Sequence, residues 1–577
     1  PNWVKNKFLN SVAERDENIF AQKTFYLNAN FKLQYDVCKG LKYTGQFGLD
    51  LQAAREEQYN AMSNWSGQSG GKGIGYSTRN TITSTYWTTI HRLNYDHVFE
   101  QWHINALGGF EASSKDYTYV AASGSGFIND KIQDVSYAED RRGSNSSSTV
   151  RKASFMTQGS LSYDKRYYLT LNGRRDGNSQ FGSDVRWSNF GSMGLSWNIN
   201  NEKWFKWDFM DVLKLKYSYG LNGNSRLGSQ EALGLYSYGD SYIYAGQMGG
   251  VQSGCPNSRL SWETTYMSNY GLRVEFLKRF DVEFEAYRNI TKDLLSNLDV
   301  SRTTGDTKAY RNVGEISNAG FEVTLTTHNF VSEQEQGFRW TTLLTMSHNR
   351  NKLLKLYNGI QKNFTNTSWI EGEDINTYFL VRWAGVDPRD GSPMWYDKQG
   401  NLTHTYSTDY RVPCGSSTPA LSGALTNDLS WKGFDLHIML NYTLGGKAFG
   451  SFSRSSNSDG LQIMSYNQSI DQCDRWQQPG DIALNPKPIW GVSTQSVMNS
   501  TRYLYKKTNV RLQNMSLTYH LPSELSRRMA MRTCAVSLMA DNLFMWVPTK
   551  TDMNSYKTAI SGYPLERQFT LSLNASF

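Results

Sequence analysis

The final nine residues, Phe569-Thr-Leu-Ser-Leu-Asn-Ala-Ser-Phe577, alternate apolar and small polar side chains without a break and stop on an aromatic. Phe569, Leu571, Leu573, Ala575 and Phe577 share one face of an extended strand. Thr570, Ser572, Asn574 and Ser576 share the other. A period of two requires apolar material on one side and water or polar groups on the other. The same pattern recurs at 213–219, 321–326 and 434–442. In Asp281-Val-Glu-Phe-Glu-Ala-Tyr287 three carboxylates line one face. Three charges in a row need water, so that face borders a lumen or a surface and not a dry core.

Strands of this kind are expected near 24–37, 41–56, 81–96, 101–114, 152–164, 166–177, 187–199, 211–223, 264–277, 279–298, 315–330, 338–354, 420–430, 434–450, 504–520, 534–546 and 563–577. That is about seventeen in all. Their connections alternate in length. Cys38-Lys-Gly40, Asp164-Lys-Arg166, Lys278-Arg279 and Trp431-Lys-Gly433 are tight turns. Long loops are expected near 56–80, 115–150, 225–263, 357–419 and 451–503. Tight turns fall on one side of the up-and-down path and long loops on the other. That sorting is expected of a transmembrane antiparallel β-barrel, with short periplasmic turns and long extracellular loops; a soluble sandwich has no reason for it. The final strand runs toward the short-turn side, which makes the C-terminus periplasmic. The first strand runs the same way, so residues 1–22 form an extracellular loop segment and 23–577 a C-terminal part of a barrel. Bacterial single-chain barrels have an even strand number. An odd number of strands is therefore expected before Pro1.

Composition agrees. Aromatics make up 14 % of the chain, with 35 Tyr and 17 Trp, residues that gather where an apolar surface meets water. No run of about 18 apolar residues encodes a spanning helix, but a spanning strand needs only about 9–11 residues. The net charge of +8 is spread along the chain, without the basic run that nucleic acid requires. Five cysteines, with no CxxC pair, leave at least one unpaired and argue against structural zinc. The eight histidines show no metal spacing, and no G-x-S-x-G elbow is present, so an enzyme is disfavoured and no cofactor or metal is expected. His437 falls on the polar face of its strand as lining. Gly67–Gly75 lacks the phosphate-loop spacing. Asp387-Pro-Arg-Asp-Gly391 lacks the alternating ligands of an EF-hand and is expected to be a turn.

Several stretches, in order, resemble one family. Asn172-Gly-Arg-Arg-Asp-Gly-Asn-Ser-Gln-Phe-Gly182, with Arg186-Trp187 and Gly194-Leu-Ser-Trp-Asn198, resembles a hairpin of SusC-like (SusC/RagA family) TonB-dependent outer-membrane transporters of Bacteroidetes. Leu213–Gly220 with Asn222-Gly-Asn224, Leu260-Ser-Trp-Glu263, Thr291–Leu295, Asn312–Glu322, Trp383–Pro388 with Gly391, and the ending from Tyr563-Pro564 to Phe577 fit the same family. The resemblance spans roughly residues 150–577. It implies an all-β plugged barrel of about 22 strands, with about 17 present here and the plug and first strands absent from this chain.

The resemblance further implies a SusD-like surface lipoprotein as a lid, TonB acting through the missing N-terminal region, and import of oligosaccharides or peptides. Outer-membrane lipids, the barrel assembly machinery and a dimer of transporter–lid pairs complete the implied partners. Sugar recognition combines an aromatic platform with polar groups around its rim. The loop candidates are Tyr236, Tyr238, Tyr242 and Tyr244, then Trp369, Trp395 and Tyr396, then Trp476 and Trp490. The same rings could instead pack the loops or contact the lid. Phe569, Leu571, Leu573 and Phe577 form the barrel-end assembly signal. A passive porin, a surface adhesin or assembly barrel, and an outer-membrane hydrolase are the competing readings.

Overall fold

The computed structural model describes residues 11–577 apart from 70–71, 226, 229, 300, 302, 304–307, 335, 360, 365, 464–466, 491–494 and 549–564. Seventeen strands form one sheet. They are β1 Ile19–Cys38, β2 Leu41–Asn60, β3 Tyr76–Phe99, β4 Trp102–Ser125, β5 Asp140–Tyr163, β6 Tyr167–Asn178, β7 Trp187–Asn198, β8 Met210–Asn224 and β9 Glu263–Phe276. They continue with β10 Phe280–Lys292, β11 Glu315–Phe330, β12 Arg339–Lys355, β13 Leu421–Trp431, β14 Phe434–Leu444, β15 Asn509–His520, β16 Thr533–Trp546 and β17 Gln568–Ser576. Each strand pairs antiparallel with its neighbours in the chain, β1 with β2 through to β16 with β17. The expected all-β meander is what forms. The links 39–40, 100–101, 164–166, 277–279 and 432–433 are tight. The links 225–262, 356–420 and 445–508, all on the opposite side, are long.

The register explains why the sheet holds together in a membrane. Across it, Tyr167, Trp197, Leu215, Leu272, Phe284 and Val323 sit opposite one another in successive strands. Leu425, Leu440 and Leu512 continue such rows farther along, as do Leu436, Leu517, Leu538 and Leu571. Exposed Phe31, Leu33, Leu195, Leu215, Leu538, Leu571 and Leu573 belong to this outward apolar band. An apolar face this extensive, left open, is the face a bilayer covers. Near the tight turns it ends in an aromatic girdle: Trp102 against Tyr163 at 4.5 Å, Phe276 against Phe280 at 4.8 Å, Phe434 against Tyr519 at 4.5 Å.

Several strands depart from expectation. β3, β4 and β5 each run 24 residues, about 80 Å at ~3.3 Å per residue, far more than a bilayer needs. The outer half of β5, as in Gly143-Ser-Asn-Ser-Ser-Ser148, is polar on both faces and carries no alternation. The ends of 56–80 and much of 115–150, read as loops, are therefore strand, held by backbone pairing and by side-chain bonds such as Thr149 Oγ1 to Asp116 at 2.7 Å. Within the 1–22 segment, Ser11–Glu17 is a short helix and β1 begins at Ile19; residues 1–10 lie outside the described set. The expected strand 279–298 breaks at Asp293, whose φ is 57°. The expected 434–450 breaks at Gly445-Gly446, with φ of 74° and 73°. Tyr563-Pro564 lies outside the described residues. All five cysteines are free thiols.

Candidate functional site: the lumen face and the long loops

The face opposite the apolar band is charged. Arg273 on β9 reaches Asp281 at 3.2 Å and Glu283 at 3.5 Å on β10, and also pairs with Glu275. The three-carboxylate face of β10 is thus partly neutralised across the ladder, and Glu285 remains for water or a guest. Arg174, in the Asn172-Gly-Arg-Arg-Asp-Gly stretch, bonds Asp176 at 2.6 Å and Glu111 at 3.0 Å. A recess of about 230 Å³ opens beside it, lined by Asn172, Arg174, Asp176, Ser192 and Asn222. Near the tight-turn mouth, His437 meets Asp428 at 2.6 Å, His520 meets Asp435 at 2.8 Å and His103 meets Asp96 at 2.9 Å. His437 is polar lining, as expected, with a carboxylate partner that sequence alone did not supply.

On the long-loop side, 356–420 and 445–508 fold against each other. Thr377–Val386 is the spine of a four-stranded sheet, flanked by Arg411–Ser416 and by Pro393–Tyr396, which pairs with Leu402–Thr403. Trp395 stands edge-on to Trp383 at 5.7 Å and to Tyr406 at 5.8 Å. Arg502 lies over Trp383 at 5.1 Å and Tyr503 at 5.3 Å. Its guanidinium grips Asp459 with two bonds of 2.5 and 2.8 Å and also bonds Asn485 Oδ1 at 2.7 Å. Both charged side chains are buried, which is tolerable because each is paired and hydrogen-bonded. Burial pushes the Tyr503 phenol well above its ordinary range.

The Asp387–Gly391 segment is a turn. Gly391 donates to the Asp387 carbonyl at 2.9 Å, and its φ of 76° suits glycine. A Cβ on Gly391 would meet the Trp476 ring at 2.6 Å. The Asp387 carboxylate is taken up by the Arg389 side chain and backbone, at 2.7 to 3.1 Å. Those bonds hold its pKa down at about 2.

The expected loop aromatics fall into three settings. Tyr236, Tyr238, Tyr242 and Tyr244 all stand exposed on one hairpin, Leu235–Tyr244 paired with Gln247–Gly254, with Tyr244 85 % exposed. The hairpin turns at Ala245-Gly246, both with positive φ, the geometry of a two-residue turn. Trp490 is also open, at 74 % exposure. Trp395, at 0 %, and Trp476 are packed inside the loops. Trp369 and Tyr396 are half-buried: Trp369 packs beside Ile316, Leu353 and Leu356, and Tyr396 lies under Arg382 at 5.3 Å. At the other end of the chain, Phe569, Leu571, Leu573 and Phe577 are exposed on the outward face. The Asp459–Arg502 clamp escaped sequence reading; the Asp459-Gly460 turn signal was the one cue to it.

An antiparallel wall with an apolar outside, a charged inside and loops sorted by length defines a β-barrel of the outer-membrane type. A sequence model of the TonB dependent receptor-like β-barrel family matches residues 3–449, and the chain belongs to that family of outer-membrane proteins. It is 24 % identical over 621 residues to TonB-dependent receptor P3 of Formosa agariphila, covering 98 % of this chain and 60 % of the relative. TonB-dependent receptor SusC of Bacteroides thetaiotaomicron is 25 % identical over 396 residues, 63 % of this chain and 37 % of SusC. Among solved structures, the RagAB peptide transporter superposes with a TM-score of 0.85 at 25 % identity, over 97 % of this chain and 63 % of that one. The chain therefore spans about 60 % of the length of the curated relatives that match it end to end.

Proposed function

We propose that this chain forms most of the wall and the substrate-facing loops of an active outer-membrane importer for oligosaccharides or peptides. The observation that carries the reading is the pairing of a lumen-facing charge network with two long loops welded into one platform. A passive pore needs the first and has no use for the second. In the full-length protein, a plug and a TonB-contacting segment would lie outside residues 1–577. A SusD-like lipoprotein would close over the platform, and transporter–lid pairs could assemble as dimers. Since the outer membrane holds no ion gradient, the pull would come from the inner membrane through TonB.

On this reading the C-terminus is periplasmic, and Phe569, Leu571, Leu573 and Phe577 present the assembly signal to the barrel assembly machinery. Exposed Tyr236, Tyr238, Tyr242, Tyr244 and Trp490 offer flat apolar faces to sugar rings or to peptide side chains. The packed Trp395 and Trp476 hold the platform in shape. Glycans suit the aromatic loops. Peptides are the second class, favoured by the likeness to a structure described as a peptide transporter.

The test is uptake of labelled oligosaccharide and peptide pools by cells expressing the full-length protein, with and without a proton uncoupler and with TonB deleted. Uptake of one class that stops on both treatments is the expected result. Uptake that survives them would make the protein a passive porin. No uptake of either class would favour an adhesin.

A further inference from the structure

The outward face is not evenly filled. Between β7 and β10, Leu215 and Leu272 sit in one register row with Trp197 and Phe284. Tyr217 and Tyr270 sit side by side in the next row, 5.1 Å apart. The leucines are shorter than the rings around them, so a groove of about 590 Å³ opens in the apolar wall. That lies within the size range of small-molecule sites, ~300–1,000 Å³.

The tight-turn end of this groove is built from charge. Glu202 is buried and accepts bonds from Arg166 at 2.9 Å, the Tyr167 hydroxyl at 2.5 Å and Trp197 Nε1 at 2.9 Å. It pins the link 199–209 beneath the groove, with Trp197 and Tyr167 at the groove's lower lip. The next residues, Lys203-Trp-Phe-Lys-Trp-Asp-Phe209, are mostly exposed. Trp204, Trp207 and Phe209 are exposed, and Trp207 stacks on Phe209 at 5.8 Å. Lys203 and Lys206 are exposed, and among the described residues neither forms an ion pair with a carboxylate. Lys165 and Lys278 stand exposed on the flanking turns. Of the nearby acids, Asp164 is held by Arg166 and Asp211 by the Lys278 backbone amide. Counted over the whole mouth, Lys165, Arg166, Lys203, Lys206, Lys278 and Arg279 outnumber Asp164, Glu202, Asp208 and Asp211, so the mouth is net positive.

We propose that this groove and the lysines beneath it bind one anionic phospholipid of the periplasmic leaflet. An acyl chain lies along the groove, and the phosphate rests on Lys203 and Lys206. Exposed Trp at headgroup level and lysines beyond the apolar edge are the elements that hold a headgroup. The charge of the mouth selects an anionic lipid over a zwitterionic one. The inference rests on the membrane reading of the wall given above.

The experiment is native mass spectrometry of the full-length protein extracted in mild detergent and titrated with phosphatidylglycerol or phosphatidylethanolamine. Lys203→Gln with Lys206→Gln, and Leu215→Trp, are the variants. Two lysines near a headgroup are expected to favour phosphatidylglycerol by roughly ten- to thirtyfold. The double lysine variant should bring that preference within about twofold, and the Trp substitution should reduce retention of both lipids. Equal retention of the two lipids by the unaltered protein, or an unchanged preference in the lysine variant, overturns the site while leaving the membrane reading intact. An acidic protein retained in place of lipid also overturns it. A protein that retains no lipid of either class overturns the site and leaves the membrane reading intact. The lysines lie on an exposed link, so their replacement tests the site even where Leu215→Trp fails to assemble.

Discussion

Replacing Asp459 by Asn probes the buried ion pair that braces the 445–508 loop and holds Arg502 over Trp383 of 356–420. Asp459 has a φ of 50°, and Asn tolerates that left-handed geometry as well as Asp does. Shape and backbone therefore survive, and what is lost is the negative charge facing a buried Arg502 together with one of the two acceptor oxygens that Arg502, Ser496 and Gln472 share. Breaking a buried pair by removing one partner costs ~3–5 kcal/mol. Arg502 retains Asn485 at 2.7 Å and the rings of Trp383 and Tyr503, so the lower end, about 3 kcal/mol, is expected. At ~1.4 kcal/mol per decade, the platform should open roughly a hundredfold more often. Hydrogen exchange on the full-length protein reads this directly. Amides in 377–386 and 495–506 should exchange faster by that factor, and those in β8–β11 should not change. A change below about fivefold, or one spread equally over the wall, would refute the claim that this pair braces the 445–508 loop beneath Trp383. Asp459→Asn with Arg502→Met removes both charges while keeping the left-handed geometry at 459, and should recover much of the loss.

Other outcomes follow from the same geometry. Asp387 titrates at about 2 in the folded loop against an ordinary 3.8, so its stabilisation is complete above about 3.8 and fades as the pH falls toward 2. Pepsin cleavage within 356–420 should rise across that window, and Asp387→Asn should abolish the dependence. Leu571→Arg places a charge on the lipid face, at ~2–4 kcal/mol near mid-bilayer, and should cut the heat-modifiable, assembled fraction in outer membranes. Asn574→Arg, on the other face of the same strand, should assemble normally. Alanine at Tyr236, Tyr238 and Tyr244 together should lower uptake at limiting substrate without altering assembly, because the three rings stand in the open.

The wall was legible in the sequence because alternation is a local signal: each strand from 152 onward announces its own two faces. The outer halves of β4 and β5 were not, and in β5 the Ser- and Asn-rich run on both faces resembles loop. Their strand character comes from pairing with partners about fifteen to fifty residues away. The loop aromatics were recognisable as candidates, but exposure depends on contacts between 356–420 and 445–508. Nothing local separates Trp395, buried under Trp383 and Tyr406, from Trp490, which stands free. The Arg502–Asp459 pair spans 43 residues, and no spacing rule links them. Lys203 and Lys206 carry no sequence motif, and their place becomes clear only because Glu202 holds the link against Arg166, Tyr167 and Trp197.

The most direct test of the central claim is a spin-label scan along β10 of the full-length protein in native outer membranes, at positions 282 to 286. Accessibility to dissolved oxygen and to a water-soluble paramagnetic complex would be measured at each site, with the five native cysteines replaced. The account predicts two curves of period two in opposite phase, oxygen peaking at Val282, Phe284 and Ala286 and the polar reagent at Glu283 and Glu285. Curves in phase, or oxygen access absent from the apolar face, would mean that this face packs against protein, and the outer-membrane wall would be contradicted.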